Sequence, residues 1–351
     1  VQCLVGSEMC IRDRLLGGSL IYDDNDISKI DNQKSSEWLK KLIENIKNDK
    51  NIIIKTRTSL AAYHNYNFLL ARQNLTDHLS VNDRNNKIRQ RLYKIRAKKV
   101  IISTGAIERP QVFHNNDRPG IMLASAVKKY IDYYGVRCGL ENVIFTNNDS
   151  AYETALSLHK SGTKLNAIID IRDNSSSEIV NKVKSLGIQI YWNHTVVNTK
   201  GYKRINKITI MKLNDKGNDV IGKKIDLNCD CLAISGGWTP MVHLFTQSGG
   251  KLKFDNKDNI FVPDKTNLNQ LSIGSAKGDF ELDDVLKNSI KDTKKFLQIE
   301  NSNFDKIDVK CSKEKEKKNI WLLPSDKPLS KTKPFLDYQN DSTAKDIKLA
   351  L

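Results

Sequence analysis

The sequence predicts a mixed α/β protein organised around a doubly wound parallel sheet. Between residues 141 and 192, short β-branched strands alternate with amphipathic helices, and this alternation is typical of parallel strands joined by helical crossovers. Two other apolar strands end in small residues, one at Thr104-Gly105 and one at Gly274. Glycines at such strand ends let the backbone approach a bound nucleotide. The pattern therefore indicates a nucleotide-binding fold.

Composition narrows the possible partners. The chain has 351 residues and a formal net charge of +16, from 57 Lys and Arg against 41 Asp and Glu. A nucleic-acid interface gathers its cations on one face, whereas these lysines are spread along the chain among Asn, Asp and Ile. The densest group, residues 313–318, alternates with glutamates and is interpreted as an exposed linker. We therefore expect a solvated basic surface and no nucleic-acid partner. We also expect no membrane partner, because the apolar runs are far shorter than the roughly 20 residues of a membrane span.

The cysteines predict a reducing compartment. Six cysteines form no evident disulfide framework, and the Cys229-Asp-Cys231 spacing is wrong for a zinc knuckle. On a strand, Cys229 and Cys231 would face the same side, toward the core. Residues 1–14 contain no apolar segment of secretory length and no initiating Met; we interpret them as a non-native or artefactual start. The predicted location is cytoplasmic.

The elements follow in order from the apolar pattern. Residues 35–47 predict a helix with one apolar face, and residues 51–55 predict a short strand. Residues 59–70 and 89–95 predict paired strands with a turn at 80–87, followed by a strand at 98–105. Further along, the pattern predicts helices at 124–134, 150–161, 177–185 and 282–297, and strands at 141–146, 165–170, 189–192, 204–213, 225–229, 231–235 and 271–273.

The segment after strand 141–146 has the layout of a dinucleotide fingerprint without its glycines. Thr146 and Asn148 occupy the usual Gly-x-Gly positions, and Asp149 and Ser150 are expected to cap the following helix. Asp170 ends the next strand, about 20 residues further on, where an acidic ribose ligand is expected. A β-carbon at position 148 would crowd a phosphate. The pattern is compatible with a segment that binds a dinucleotide and with one that keeps the fold without binding it.

Three glycine motifs form an ordered series around that unit. Each motif could be an ordinary turn, but the order Gly-Gly, Thr-Gly, Rossmann-like unit, Gly-x-Ala-x-Gly is typical of a fold with two dinucleotide-binding domains. We therefore predict contacts from the Gly-Gly loop to the central part of the cofactor and closure of the site by the late glycine segment. The predicted cofactor-binding residues are Gly17, Gly18, Thr104, Gly105, Asn148, Asp149, Ser150, Gly274 and Gly278.

Longer strings resemble one family. TGAIERPQVFHNNDRPG, VIFTNNDSAYETAL, SGGWTP and FLDYQNDSTAKDIKLA resemble the alpha subunit of heterotetrameric sarcosine oxidase, and the resemblance extends from about Leu15 to Leu351. It implies a complex that oxidises sarcosine to glycine, transfers the methyl carbon to tetrahydrofolate as methylene-tetrahydrofolate and forms hydrogen peroxide. It also implies NAD in the alpha subunit, FMN at the interface with the beta subunit, FAD within the beta subunit, and gamma and delta subunits as further partners.

The resemblance also implies a domain layout and two departures from the family. A first Gly-x-Gly-x-x-Gly is expected before Gly17 and a folate-binding T-protein-like domain is expected after Leu351, and neither is present in this sequence. We therefore expect a gene fragment whose first Rossmann unit is truncated and which is inactive alone. The expected layout is 15–106 for a partial first dinucleotide-binding domain, 107–235 for a second Rossmann-like domain, 236–300 for the return to the first, 301–320 for a linker and 321–351 for the start of the T-protein-like domain.

Within this layout, the expected role of the chain is to scaffold NAD and the flavin interface. No catalytic or metal-ligating constellation is predicted, and His114 and His243 are interpreted as loop surface residues. Residues 115–120 and 236–240 are expected to shape a surface that faces flavin or a partner subunit. Two alternatives stay open: an alpha subunit of a related amine, opine or proline dehydrogenase, and a non-enzymatic basic binding module.

Overall fold

The structure is a computed structural model that describes residues 15–23, 27–300, 307–314 and 317–351. The interpretation of residues 1–14 as an artefactual start lies outside the described residues. Contacts divide the chain into two compact units. Unit 1 comprises Val1–Ile107 and Thr239–Cys311, and unit 2 comprises Glu108–Trp238 and Ser312–Leu351.

Strands and helices follow one another in three stretches of the chain. The first holds β1 (Lys29–Ile30), β2 (Gln33–Lys34), α1 (Ser35–Asn48), β3 (Thr58–His64), β4 (Phe68–Asn74), α2 (Val81–Arg84), β5 (Gln90–Arg96), β6 (Val100–Ile102) and β7 (Ala106–Glu108). The second holds β8 (Ile121–Leu123), α3 (Ala124–Asp132), β9 (Glu141–Thr146), α4 (Ser150–Lys160), β10 (Lys164–Asp170), α5 (Glu178–Ser185), β11 (Ile190–Trp192), β12 (His194–Gly201), β13 (Ile205–Leu213), β14 (Val220–Asn228), β15 (Cys231–Ser235) and β16 (Trp238–Pro240). The third holds α6 (His243–Gln247), β17 (Lys251–Asp255), β18 (Ile260–Lys265), β19 (Gln270–Ser272), α7 (Leu282–Leu297), β20 (Val309–Lys310), β21 (Phe335–Asp337), β22 (Ser342–Thr343) and α8 (Ala344–Ala350).

Unit 2 contains the predicted parallel sheet. Its strand order is β11-β10-β9-β15-β8, and every neighbouring pair runs parallel. The chain winds from β9 through α4, β10 and α5 to β11 on one side, while β15 and β8 lie on the other, so the winding reverses between β9 and β15. Ligands of open α/β sheets bind at such a reversal, beyond the carboxyl ends of the strands. The predicted α/β class is confirmed.

The core of unit 2 is apolar because its central strands are covered on both faces. Buried side chains from β9, β10 and β15, including Phe145, Ile169 and Leu232, pack together with residues of an antiparallel sheet of order β12-β13-β14. The strands β13 and β14 match the predicted hairpin, and β12 was not predicted. Cys229 and Cys231 are both buried, as the same-face pattern predicted.

The small antiparallel sheet of unit 1 differs from its prediction. The sequence indicated one strand over residues 59–70, but the chain reverses at Tyr66 and Asn67, whose φ values are 58° and 52°. Two consecutive left-handed residues form the turn that suits a tight hairpin, so β3 and β4 pair with each other and β5 adds to β4. The predicted strand at 51–55 is also wrong, because this β-branched run has no ladder partner and Ile53 projects into solvent.

The parallel pair in unit 1 brings two glycine motifs together. β6 and β19 pair in parallel with Val100 opposite Gln270, and the Ile273 amide extends the ladder by donating to the Ile102 carbonyl at 3.0 Å. Carboxyl ends of parallel strands lie at the same edge of a sheet. The Thr104-Gly105 turn and the Gly274 segment therefore start from neighbouring positions.

The last part of the chain packs into unit 2. Residues 312–351 group with unit 2, whereas the sequence assigned 301–320 to a linker and 321–351 to a further domain. Leu323 is buried in the unit 2 core, and its amide donates to the Val112 carbonyl at 2.9 Å. The expectation of a surface position for His114 is wrong: the ring is buried, accepts the Lys333 amide at Nδ1 (2.9 Å) and has a pKa lowered by that burial.

Replacement of Leu323 tests this packing. We expect Leu323→Ala to lower the free energy of unfolding of unit 2 by about 2–4 kcal/mol, because it deletes buried methyl groups and leaves a cavity. The side chain is 3% exposed, whereas that of its neighbour Leu322 is 39% exposed. Urea unfolding of Leu322→Ala is the matched control, with an expected loss below about 1 kcal/mol. Equal losses in the two variants would contradict the placement of Leu323 in the core.

Across the described residues, the helices are too short or too polar to cross a bilayer. Four cysteines lie in the described residues, and Cys138, Cys229, Cys231 and Cys311 form no disulfide with one another.

Candidate functional site

The edge of unit 1 beyond β6 and β19 contains open space at one predicted glycine. Gly105 has a φ of +75°, and a β-carbon built there would meet no atom within 4 Å. The turn is held by two hydrogen bonds, because the Thr104 hydroxyl donates to the Met241 carbonyl at 2.8 Å and the Met241 amide donates to the Gly105 carbonyl at 2.9 Å. Gly105 thus combines a left-handed conformation with free space into which a ligand could fit. Gly18 is similarly open.

The other predicted glycines of unit 1 contact protein instead. A β-carbon at Gly17 would overlap the Leu39 side chain, and one at Gly278 would lie 3.0 Å from a Val262 methyl group. Gly274 lies slightly further from its neighbour, at 3.4 Å from Val285. These contacts explain the glycines by close packing, and a direct contact from them to a cofactor stays a prediction.

Sequence reasoning missed two polar groups near the same segment. The Asp279 Oδ2 and Ser272 Oγ atoms are buried and have no hydrogen-bond partner within the described residues. Burial raises the pKa of Asp279, whose other oxygen accepts the Asn288 amide at 3.1 Å. A buried polar atom without a partner costs about 1–3 kcal/mol, so these atoms fit a ligand that carries hydroxyl groups. The available signal was Asp279 itself, the acid that directly follows Gly278.

The fingerprint of unit 2 replaces its glycine with an asparagine cap. Asn148 Oδ1 accepts the Ser150 amide at 3.1 Å and the Ser150 hydroxyl at 2.6 Å, and Asn148 Nδ2 donates to Ser235 Oγ at 2.9 Å. Asp149 and Ser150 do not cap α4 with their side chains as predicted, since Asn148 does so. Neither Thr146 nor Asn148 has a positive φ, so the backbone needs no glycine at either position. The side chain of Asn148 also joins β9 to β15 at the reversal point.

Restoring a glycine at this position should therefore weaken the protein. We expect Asn148→Gly to lower the free energy of unfolding of unit 2 by about 1–2 kcal/mol, because it removes the helix cap and several buried hydrogen bonds. Urea unfolding measures the loss, and Asn174→Gly at an exposed loop position is the control. An unchanged or raised stability of Asn148→Gly would show that the side chain does not perform the role of the missing glycine.

A buried ion cluster surrounds the position predicted for a ribose. Arg172, a residue that the sequence analysis did not single out, is 2% exposed. Its Nη2 lies 2.7 Å from Asp170 Oδ2, and its Nη1 lies 2.7 Å from Asp149 Oδ1 and 3.3 Å from Glu314 Oε1. Asp170 also accepts the Tyr152 hydroxyl at 2.9 Å, and burial raises its pKa. The predicted ribose ligand Asp170 is thus bonded within the chain, and Asp149 makes an ion pair.

Glu314 departs from the interpretation of residues 313–318 as an exposed linker, whereas Lys313 and Lys317 are exposed as expected. The Glu314 carboxylate accepts the Asp149 amide at 2.9 Å and contacts the buried Arg172. The sequence could not separate this glutamate from its neighbours, because alternating lysine and glutamate is typical of solvated segments. The two partners of Glu314, Asp149 and Arg172, lie 165 and 142 positions away.

Two curated proteins have closely matching sequences. This chain is 33% identical over 344 residues to sarcosine oxidase subunit alpha of Corynebacterium sp. (strain P-1), a match that covers 94% of this chain and 34% of that subunit. It is 32% identical over 328 residues to the same subunit of Corynebacterium sp. (strain U-96), with 91% and 33% coverage. The chain is similar to sarcosine oxidase alpha subunits. It spans about one third of their length, and the resemblance predicted from the sequence motifs is confirmed.

A solved structure supports the fold. The L-proline dehydrogenase of P. horikoshii superposes with a TM-score of 0.58 at 18% identity, over 85% of this chain and 54% of that one. At this identity the likeness shows a shared fold. No family model matches the sequence.

Proposed function

We propose that the protein containing this chain is an oxidoreductase subunit of the sarcosine oxidase type. The observation that carries the proposal is the similarity to sarcosine oxidase alpha subunits along almost the entire chain. In this role the complex oxidises sarcosine to glycine with formation of methylene-tetrahydrofolate and hydrogen peroxide. Beta, gamma and delta subunits are the proposed partners, and the location is the cytoplasm.

The proposed role of this chain is to hold cofactors rather than to react with substrate. Unit 1 is the proposed NAD site, with FMN at the interface to a partner subunit, FAD inside that partner, and tetrahydrofolate on a T-protein-like domain. The nicotinamide and flavin groups would supply hydride and electron transfer when bound. The residues of unit 1 fit such a group, because Gly105 leaves open space and Asp279 and Ser272 each present a buried oxygen without a partner.

The residues of the proposed NAD site in unit 1 then have different roles. Gly105 admits the cofactor close to the backbone, and Thr104 holds the turn through its bond to Met241. Asp279 accepts a hydrogen bond from a cofactor hydroxyl, and Ser272 accepts or donates one. These bonds remove the free-energy cost of burying the two oxygens without a partner. Gly17, Gly18, Gly274 and Gly278 shape the surrounding loops.

The test uses the full-length protein expressed with its beta partner. The readouts are peroxide formed from sarcosine and the amounts of flavin and NAD that copurify. Sarcosine-dependent peroxide with bound flavin is the expected result. Absence of both turnover and flavin would overturn the proposal.

A second candidate is an alpha subunit of a related dehydrogenase that acts on proline, an opine or another amine. The shared fold with an L-proline dehydrogenase favours it. The same preparation distinguishes the two candidates when L-proline replaces sarcosine and a dye replaces oxygen as the electron acceptor. Reduction of the dye by L-proline, without peroxide from sarcosine, would favour the second candidate.

A further inference from the structure

A segment of unit 2 crosses the ligand-binding edge of its parallel sheet. We name residues 312–314 and 317–319 the strap. Its Ser312 hydroxyl accepts the Ile179 amide at 3.2 Å, in the first turns of α5. Lys318 contacts the loops that follow three strands, because its carbonyl accepts the Asn147 amide at 3.2 Å and its ammonium lies 3.5 Å from Asp173 and 3.2 Å from Asn193. The strap is thus seated where doubly wound folds bind nucleotides.

The Glu314 carboxylate takes the place of an anion at the N-terminus of α4. The N-terminus of a helix attracts anions through its free amides and its dipole, and dinucleotide folds bind pyrophosphate there. Here the Asp149 amide at this terminus donates to Glu314 Oε1 at 2.9 Å, and the Arg172 guanidinium lies 3.3 Å from the same oxygen. A backbone amide and a guanidinium are the groups that would hold a phosphate. Glu314 therefore occupies both donors.

Several charged groups surround Glu314. Three carboxylates, from Asp149, Asp170 and Glu314, contact the guanidinium of Arg172. Lys317 lies 3.9 Å from Glu314. Burial, and then the charge of Asp149, raise the pKa of Glu314 to about 7. The Asp149 Oδ2 atom beside it is buried and has no hydrogen-bond partner among the described residues.

We propose that the strap is an autoinhibitory contact of unit 2: Glu314 occupies the phosphate position of the fingerprint, and a nucleoside diphosphate binds there only when the strap has left. The inference is independent of the proposed function, because it concerns unit 2 and not the NAD site of unit 1. Glu314 and a diphosphate exclude each other since both need the Asp149 amide and Arg172. The fingerprint that lacks its glycines is then a site whose phosphate position is occupied by Glu314 of the same chain.

Docking of the strap through Glu314 should weaken as the pH rises. A carboxyl group whose pKa is raised in the docked state binds a proton more readily when docked. The docked strap is therefore favoured below the usual glutamate pKa, and this advantage is lost as the pH rises through about 7. The charge of Asp149 disfavours the ionised form of Glu314, while the charges of Arg172 and Lys317 favour it. Between about pH 6 and about pH 8.5, the docking equilibrium should weaken about tenfold.

The first experiment measures strap release in the full chain by tryptic cleavage after Lys317 and Lys318. When the strap opens and closes faster than trypsin cleaves, the cleavage rate is proportional to the population of the open form. Wild-type cleavage, normalised to cleavage after Lys216 in an exposed hairpin turn, is expected to rise about tenfold between the two pH values. Glu314→Gln should remove this dependence, and Glu178→Gln, at an exposed acid on α5, should retain it. Cleavage of the wild type that does not change with pH would overturn the switch.

The second experiment measures nucleotide binding with ADP as the probe. Hydrogen exchange of the peptide that spans residues 146–153 is followed by mass spectrometry, with and without ADP. Protection by ADP is expected in Glu314→Ala and not in the wild type at about pH 6. Equal protection in both proteins, or none in either, would overturn the autoinhibitory role. Exchange of residues 102–108 with NAD reports unit 1 separately, so failure of the proposed function and failure of this inference give different patterns.

Discussion

Replacement of Arg172 by methionine is expected to lower the free energy of unfolding of unit 2 by about 3–5 kcal/mol near neutral pH. The variant keeps an unbranched, apolar side chain that is shorter than arginine, and it leaves Asp149, Asp170 and Glu314 around an uncharged group. Burying a carboxylate without a partner costs far more free energy than burying the same carboxylate paired with a guanidinium. Urea unfolding followed by tryptophan fluorescence reports this loss, because Trp192, Trp238 and Trp321 lie in unit 2.

The loss caused by Arg172→Met should depend on pH. Burial raises the pKa values of Asp170 and Glu314 even in the presence of Arg172, and without the guanidinium these values rise further. Folding of the variant therefore takes up protons, so its stability falls as the pH rises. The deficit relative to the wild type should be smaller at about pH 5.5 than at about pH 8.

The control for this variant is Lys182→Met, which removes a cation from an exposed position on α5. Surface substitutions of this kind change stability by about 0.5 kcal/mol or less. If Arg172→Met lost no more than Lys182→Met, the cluster would not stabilise unit 2.

Replacement of Gly105 by valine is expected to abolish retention of the dinucleotide in the full-length subunit, with at least about a hundredfold loss of affinity, or about 2.7 kcal/mol. A valine side chain would enter the open space beside the turn, which in the proposed complex belongs to the cofactor. The protein itself offers no atom within 4 Å of the new β-carbon, so the variant should fold. The measurement is the molar ratio of NAD to protein after gel filtration, together with the dissociation constant.

Backbone strain is the main alternative explanation for such a loss, and the chain provides a matched control. A left-handed conformation costs a residue with a side chain about 1–2 kcal/mol. Gly187 has a φ of +74°, close to the +75° of Gly105, and likewise has nothing within 4 Å of a built β-carbon. Gly187→Val therefore carries the same strain at a position of unit 2 that is not among the predicted cofactor-binding residues. Normal NAD content in Gly105→Val, or equal losses in both variants, would contradict the assignment.

Local pattern predicted the central sheet well. Strands β9, β10 and β15 are buried on both faces, so their sequences are continuous apolar runs that a reader of the sequence can recognise. The helices between them carry clear apolar faces. By contrast, the hairpin between β3 and β4 turns at Tyr66-Asn67, a pair without the usual turn glycine, so the run was read as a single strand.

The residues of the candidate site in unit 1 differ in how readily a sequence points to them. Thr104 and Gly105 could be singled out because a small residue at a strand end has a distinct signature, and the parallel pairing of β6 with β19 places that turn beside the Gly274 segment; their contact with a cofactor stays a prediction. Asp279 and Ser272 were missed because a buried oxygen without a partner cannot be recognised in a sequence. The assignment of NAD to this site remains a prediction.

The sequence by itself determined the α/β class, the alternation of strands and helices from β9 to β11, and the resemblance to sarcosine oxidase alpha subunits. These properties depend on short apolar periods and on local strings of residues. Only the tertiary structure decided that Asn148 caps α4, that Arg172 joins three acids and that Glu314 occupies the N-terminus of that helix. The physical reason is that a buried charge is defined by its partners, and Glu314 lies 165 positions from Asp149 and 142 from Arg172. No local pattern can encode a pairing over such separations.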